Sequence, residues 1–161
     1  PRSTLFPYTT LFRSMEISAS YSIEHISINA SHSMVRIVDA NNQLRGSMYV
    51  TNDKHIRTFP ENISRLNAII SLNERVTISP NIVYYYSWYS PSEQSVDGNI
   101  MVNLSTMYKL TNKWSLSFSI INLLGQSNLY PMNNNTGGPE RSDGTPSYEK
   151  TNIWLKLNCK F

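Results

Sequence analysis

Residues 76 to 88 read VTISPNIVYYYSW, with apolar side chains on the even positions and mostly polar side chains between them. Successive side chains of a β-strand point to opposite faces, so this alternation predicts a strand with one apolar and one polar face. Pro80 is the flaw in the pattern, because proline cannot donate a backbone hydrogen bond to a neighbouring strand. The stretch is also longer than the strands of globular proteins, which average about 5–6 residues.

The same alternation recurs along the chain and predicts further strands at residues 15–23, 26–38, 62–72, 99–110, 114–120 and 151–161. The connections alternate between tight turns, at 24–25, 73–75 and 111–113, and long polar loops, at 39–61, 89–98 and 123–150. Strands of about 9–11 residues can cross hydrocarbon when tilted, and short turns on one side with long loops on the other are typical of transmembrane barrels. The predicted fold class is therefore all-β, an antiparallel up-and-down transmembrane β-barrel portion of about seven strands that forms an open curved sheet.

The composition favours the same interpretation. Charged residues make up 16% of the chain, against about 25% in ordinary globular domains, and Ser and Asn take their place. The net charge of +3 comes from scattered residues, which gives no indication of a nucleic-acid partner. The single cysteine, Cys159, excludes a disulfide framework within the chain. No apolar run is long enough to predict a transmembrane helix.

Aromatic residues lie near the ends of the predicted strands, where a girdle would meet lipid headgroups. They are Trp88, Tyr89, Tyr108, Trp114, Trp154 and Phe161.

The first residues are set apart from the fold. Residues 4 to 14, TLFPYTTLFRS, resemble the in-frame translation of a common sequencing-adapter oligonucleotide. Residues 1–14 are therefore interpreted as an adapter-derived, disordered segment that takes no part in the fold. Residues 15–161 are expected to be the C-terminal fragment of an outer-membrane β-barrel, with further sequence upstream.

Four short pieces of the chain, taken in order, resemble the C-terminal barrel of TonB-dependent outer-membrane receptors. They are the strand start at residues 60–67, the hairpin at 97–110, the segment 118–124 followed by Tyr130, and the terminal strand at 154–161. Two positions depart from the family's pattern. Leu124 stands where an aromatic residue is usual, and Cys159 stands where a tyrosine is common.

The resemblance implies a protein of the Gram-negative outer membrane that imports a scarce nutrient, such as a siderophore, cobalamin or a carbohydrate, with energy passed on by TonB. It implies no enzymatic activity and no cofactor. The family's barrel has about 22 strands, so the strands predicted here would be roughly one third of it. The family's plug domain and TonB box are not visible in this sequence, and the portion alone is expected to be inactive in transport.

The last strand resembles the signal that the outer-membrane barrel-assembly machinery reads. Its apolar residues alternate towards an aromatic residue, through Ile153, Leu155, Leu157 and Phe161. An unpaired strand can add to the edge of another sheet, which gives this reading a physical basis. Alternatively, Phe161 is an anchor at the membrane interface.

Ligand contacts are expected from the long loops. Tyr130, Arg141 and Tyr148 are the candidates, because aromatic and arginine side chains supply most of the binding energy at recognition surfaces. The three histidines, His25, His32 and His55, lack the spacing of a metal site and are expected to face solvent or the barrel lumen.

Two other classes stay open at this stage. One is a different outer-membrane barrel, such as a porin or an adhesin, which needs no plug domain. The other is a soluble β-sandwich binding module, for example one that binds carbohydrate. In the membrane readings the expected partners are outer-membrane lipid and the assembly machinery, and for the receptor also TonB and a small nutrient.

Overall fold

The computed structural model describes residues 11–39, 51, 53–56, 59–89, 95–126, 129–130, 145–146 and 150–160. Within these residues all regular secondary structure is β-strand. The strands in chain order are β1 (Leu11–Ile23), β2 (Ile26–Asp39), β3 (Asn62–Ser71), β4 (Val76–Tyr85), β5 (Trp88–Tyr89), β6 (Ser95–Val96), β7 (Asn99–Lys109), β8 (Trp114–Ile121), β9 (Leu129–Tyr130), β10 (Thr145–Pro146) and β11 (Asn152–Cys159).

Seven long strands form a single sheet in the order β1-β2-β3-β4-β7-β8-β11, and every neighbouring pair is antiparallel. The two small pairs, β5 with β6 and β9 with β10, sit in the long loops. The predicted all-β, up-and-down antiparallel fold is confirmed. Among the described residues β1 and β11 each pair on one side only, so both leave a row of backbone groups open.

The first strand begins earlier than the sequence predicts. β1 starts at Leu11, and residues 11–14 pair with the end of β2 through partners such as Arg13 with Arg36 and Ser14 with Val35. The structure thus pairs these four residues with β2, whereas the sequence interpretation places them outside the fold, and their adapter origin stays a prediction. Residues 1–10 lie outside the described part of the chain.

The strand predicted at residues 76–88 is β4, which ends at Tyr85 and not at Trp88. Trp88 pairs with Val96 in the small β5–β6 hairpin and is buried, which corrects its expected place in an exposed aromatic girdle. Gly98 then leads into β7. A Cβ atom at Gly98 would lie 2.9 Å from the Tyr85 carbonyl oxygen, so the absence of a side chain allows this close approach.

Pro80 lies well inside β4, away from the strand end where it is best tolerated. On one side β4 pairs with β7 without a break. On the other side the pairing with β3 skips from Asn67–Asn81 to Ile70–Ile78, so the ladder has a gap at the proline. The missing N–H of proline explains the gap, and the rest of the sheet carries the strand past it.

The buried apolar residues lie at the end of the sheet that carries the long loops. Ile37 is near the end of β2, Ile63 is near the start of β3, and Trp88 and Val96 form the adjacent hairpin. Their burial gives this end a small core. Most of the seven-stranded sheet has no second layer within the described residues.

Two of the tight turns are closed by one short polar side chain each. The Asn73 side-chain oxygen accepts hydrogen bonds from the backbone N–H of Arg75 and Val76, both at 2.9 Å. The Thr111 hydroxyl accepts from the N–H of Lys113 at 3.2 Å and of Trp114 at 3.1 Å. Such local bonds satisfy turn amides that no ladder can reach.

We expect Thr111→Ala to lower the free energy of unfolding by about 1–2 kcal/mol, because two backbone donors lose their acceptor. The neighbouring Asn112→Ala is the matched control, since Asn112 is exposed in the same turn and its side chain makes no hydrogen bond to a described residue. Urea-induced unfolding in nonionic detergent, followed by circular dichroism, measures both variants. Equal effects of the two substitutions would contradict this role of Thr111.

Candidate functional site

The register of the sheet gives it two chemically different faces. The polar face carries Ser20, Asn29, Asn67, Asn81 and Asn103, which lie side by side on five neighbouring strands. The apolar face carries the row directly behind them. That row consists of Ala19, Ala30, Leu66, Ile82 and Val102.

Much of the apolar face is open to the surroundings. In the two edge strands Ile17 is 58% exposed and Leu155 is 69% exposed, and no described element covers them. Leu66, Tyr84, Tyr108 and Phe118 on the inner strands are also exposed. Isolated exposed apolar residues are common in proteins, whereas a continuous apolar sheet face indicates a surface that something else covers.

Side-chain hydrogen bonds join these polar residues in two groups, Ser20 with Asn29 and Asn67 through Asn81 to Asn103. We call the five residues the asparagine row. Asn29 donates its amide to the Ser20 hydroxyl at 2.7 Å, and Asn103 donates to the Asn81 side-chain oxygen at 3.0 Å. Asn81 in turn donates to the side-chain oxygen of Asn67. Because each amide both donates and accepts, one residue type can continue the row from strand to strand.

The row ends at Asn122, just after β8. The backbone N–H of Asn122 donates to the Asn103 side-chain oxygen at 2.9 Å. Its own amide donates to the Gln126 carbonyl at 2.8 Å, and the Thr151 hydroxyl donates to the Asn122 carbonyl at 3.0 Å. Asn122 is 3% exposed and has a φ of 55°, a left-handed conformation that asparagine tolerates better than most residues. The asparagine row therefore also fixes the start of the longest loop and the approach to β11.

A second cluster lies at the long-loop end, around His55. Its Nδ1 is 3.2 Å from the Glu61 carboxylate, which also accepts from the Ile56 N–H at 3.0 Å. The His55 ring stacks on Tyr89 with ring centroids 4.9 Å apart. The Glu61 carbonyl accepts from the Val35 N–H at 2.8 Å. These contacts tie the loop to β2 and β5, so we assign the cluster a structural role.

His32 is placed differently from the expectation that it faces solvent or the lumen. His32 of β2 pairs with Ile17 of β1, which puts His32 on the apolar face. There its Nδ1 lies 2.9 Å from the Ser64 hydroxyl, and its ring meets Tyr86 edge-on at 5.8 Å. The hydroxyl supplies the hydrogen bond that a histidine on an apolar surface requires.

The candidate ligand residues are only partly described. Tyr130 lies in β9, with its backbone opposite Thr145 of β10. Arg141 and Tyr148 lie outside the described residues, so the proposed ligand cluster stays a prediction. Of the assembly signal, Ile153, Leu155 and Leu157 lie on the apolar face of β11 and are exposed, and Phe161 lies outside the described residues.

Sequence reasoning did not find the asparagine row. The signal was present, since β2, β3, β4 and β7 each have an asparagine on their polar positions. The row only becomes visible once the register places Asn67, Asn81 and Asn103 opposite one another.

No protein-family model matches the chain, and comparison with curated proteins and with solved structures likewise finds no match. Among the described residues no helix has the length and hydropathy needed to span a membrane. Nor do three or more His, Cys, Asp or Glu side chains come together there in a way that could hold a metal ion.

We expect Asn103→Ala to lower the free energy of unfolding by about 2–3 kcal/mol, because it removes the acceptor of a buried N–H as well as a bond to Asn81. Asn29→Ala is the control. Asn29 is exposed and donates one bond at the edge of the row, so we expect a loss below about 1 kcal/mol. Urea unfolding in nonionic detergent measures both. If the two variants lose the same stability, the asparagine row is not a cooperative support of the sheet.

Proposed function

We propose that the chain is part of an outer-membrane β-barrel and, following its resemblance, of the barrel of a TonB-dependent receptor that imports a scarce nutrient. The observation that carries the membrane assignment is the exposed apolar face, which lies behind a polar face joined by side-chain hydrogen bonds. Lipid covers the apolar face in this proposal, and water fills the space in front of the polar face.

Energetics support this placement. Each fully buried large apolar side chain contributes about 1.5–3 kcal/mol relative to leaving it in water. A sheet that left Ile17, Ile153, Leu155 and Leu157 in water would forgo that stabilisation. The polar face has the opposite requirement, because its amides and hydroxyls would be costly to place in hydrocarbon. Lipid on one face and water on the other satisfies both requirements.

The positions of aromatic residues on the apolar face support a membrane as well. Tyr108 and Trp114 lie beside the tight turns, and Tyr84 lies near the long loops. Tyr108 of β7 pairs with Val76 of β4, and Tyr84 lies eight residues after Val76 in β4. That distance is about 26 Å along the strand, or about 20 Å along the membrane normal at a tilt of about 40°, close to the apolar band of about 25 Å in outer-membrane barrels.

The open edges support a barrel larger than the described sheet. Lipid offers no hydrogen-bonding groups, so a sheet in a membrane has to close on itself. β1 and β11 do not pair with each other, and we infer that other strands complete the barrel at both edges.

The transport assignment comes from the resemblance. In that assignment the long loops supply the ligand contacts through Tyr130, Arg141 and Tyr148, and TonB acts through a part of the receptor beyond this chain. Ile153, Leu155 and Leu157, with Phe161, serve recognition by the assembly machinery, since they present a row of apolar side chains on the edge strand β11.

A pair of adjacent substitutions tests the membrane assignment. Leu155 and Trp154 are 69% and 63% exposed and lie on opposite faces of β11. If lipid covers the apolar face, Leu155→Lys costs about 2–4 kcal/mol of stability in detergent micelles, whereas Trp154→Lys costs much less. Chemical unfolding in micelles measures the difference. Two similar effects, or a gain in solubility from both variants in plain buffer, would point to a water-exposed sheet.

The unmodified chain should also need detergent to stay in solution. We expect it to aggregate in plain buffer, because an apolar face and two unpaired edges are exposed together. Sedimentation velocity with and without detergent measures this. A stable monomer in plain buffer would favour the soluble β-sandwich instead.

The genomic sequence upstream of Met15 tests the receptor assignment. A plug domain and a TonB box encoded in frame are the expected result. A signal peptide immediately before Met15 would remove the receptor assignment and leave a porin or an adhesin.

A further inference from the structure

A groove of about 720 Å³ lies at the tight-turn end of the sheet, between the 73–75 turn, the 111–113 turn and the end of β11. Four cationic side chains line it: Arg75, Lys109, Lys113 and Lys160. Among the described residues of its lining Glu74 is the one carboxylate, so these residues carry a net charge of 4 − 1 = +3. We call the groove that these four side chains line the cationic groove.

The backbone fixes the four cations on neighbouring strand ends. The Lys109 N–H donates to the Arg75 carbonyl at 2.8 Å, and the Lys160 N–H donates to the Lys113 carbonyl at 2.8 Å. The residues therefore form two cross-strand pairs, one where β4 and β7 meet the 73–75 turn and one where β8 and β11 meet the 111–113 turn. Across four adjacent strands, at about 4.8 Å per step, the set spans about 14 Å.

These charges have no ionic partner within the described residues. The ion pairs found there involve His25 with Glu24 and His55 with Glu61, and no described carboxylate lies within 4.0 Å of the four cations. Like charges held close together repel one another, so a bound anion would relieve the repulsion. Ser115 and Asn158 in the same lining add neutral hydrogen-bonding groups.

Trp114 and Cys159 of the apolar face also line the groove, but the register places its hydrogen-bonding residues on the polar face. Lys109, Ser115 and Asn158 lie side by side on β7, β8 and β11, on the same face as Asn103 and Ser105. A ligand there is consequently in water and not among lipid chains. The volume is that of a site for a small molecule, and the two cation pairs suit a ligand with separated charges.

We infer that the cationic groove binds an elongated small solute carrying two or more anionic groups, phosphate or carboxylate. The two ends of the solute pair with Arg75–Lys109 and with Lys113–Lys160. Lysine binds such groups as a point charge, and arginine as a fork. The site does not need lipid on the apolar face, so this inference and the membrane assignment can fail separately.

Titration of the full chain with tripolyphosphate or citrate, in nonionic micelles at low salt, tests the inference by calorimetry. Lys113→Gln with Lys160→Gln removes one cation pair and should weaken binding by about 25-fold, at about fivefold for each charge. The matched control is Lys54→Gln with Lys150→Gln, which removes two lysines at the long-loop end and should change binding less than about twofold. Lys113→Arg with Lys160→Arg should retain it.

The outcomes separate the possible ligands. Tighter binding of tripolyphosphate than of citrate selects the phosphate class, and the reverse order selects the carboxylates. The inference is overturned if neutral maltotriose binds equally well, if the control pair weakens binding as much as the groove pair, or if neither polyanion binds. It is also overturned if phosphatidylglycerol in the micelles binds while both soluble polyanions do not.

Discussion

The antiparallel register is the constraint on which the rest of the structure depends. Strand side chains alternate with a period of two, so a slip of one residue between β3 and β4 would move Asn81 to the apolar face and Ile82 to the polar face. Both faces would then fail, one by placing amides among apolar side chains and the other by breaking the hydrogen bonds of the asparagine row. The two chemical surfaces therefore exist only because the register is fixed.

Two kinds of interaction hold that register. The tight turns fix it at one end of the strands, where Asn73 and Thr111 each bind two backbone donors. The asparagine row fixes it near the middle of β3 and β4, because an amide reaches its neighbour only when the strands are correctly aligned. The turns and the asparagine row thus align the strands at different positions along their length. The small core around Ile63 and Trp88 adds apolar packing at the long-loop end.

Much of the fold follows from the sequence, because period-two alternation and turn residues are local signals. The strand in residues 62–72 and the turn at 111–113 were both predicted close to where they lie. The errors arose where tertiary contacts decide. Trp88 continues the alternation of β4 in sequence, but it leaves the sheet to pair with Val96. The cationic groove and the asparagine row could not be predicted from the sequence, because each joins residues from several strands that only the register brings together.

The gap that Pro80 leaves in the ladder has a mechanical consequence. The gap divides the sheet into a three-stranded part, β1 to β3, and a four-stranded part that consists of β4, β7, β8 and β11. The pairing between the two parts lacks two consecutive residue pairs. A sheet bends most readily where cross-strand bonds are missing, since bending there strains fewer of them. We therefore expect the curvature of the sheet to concentrate beside Pro80, between β3 and β4.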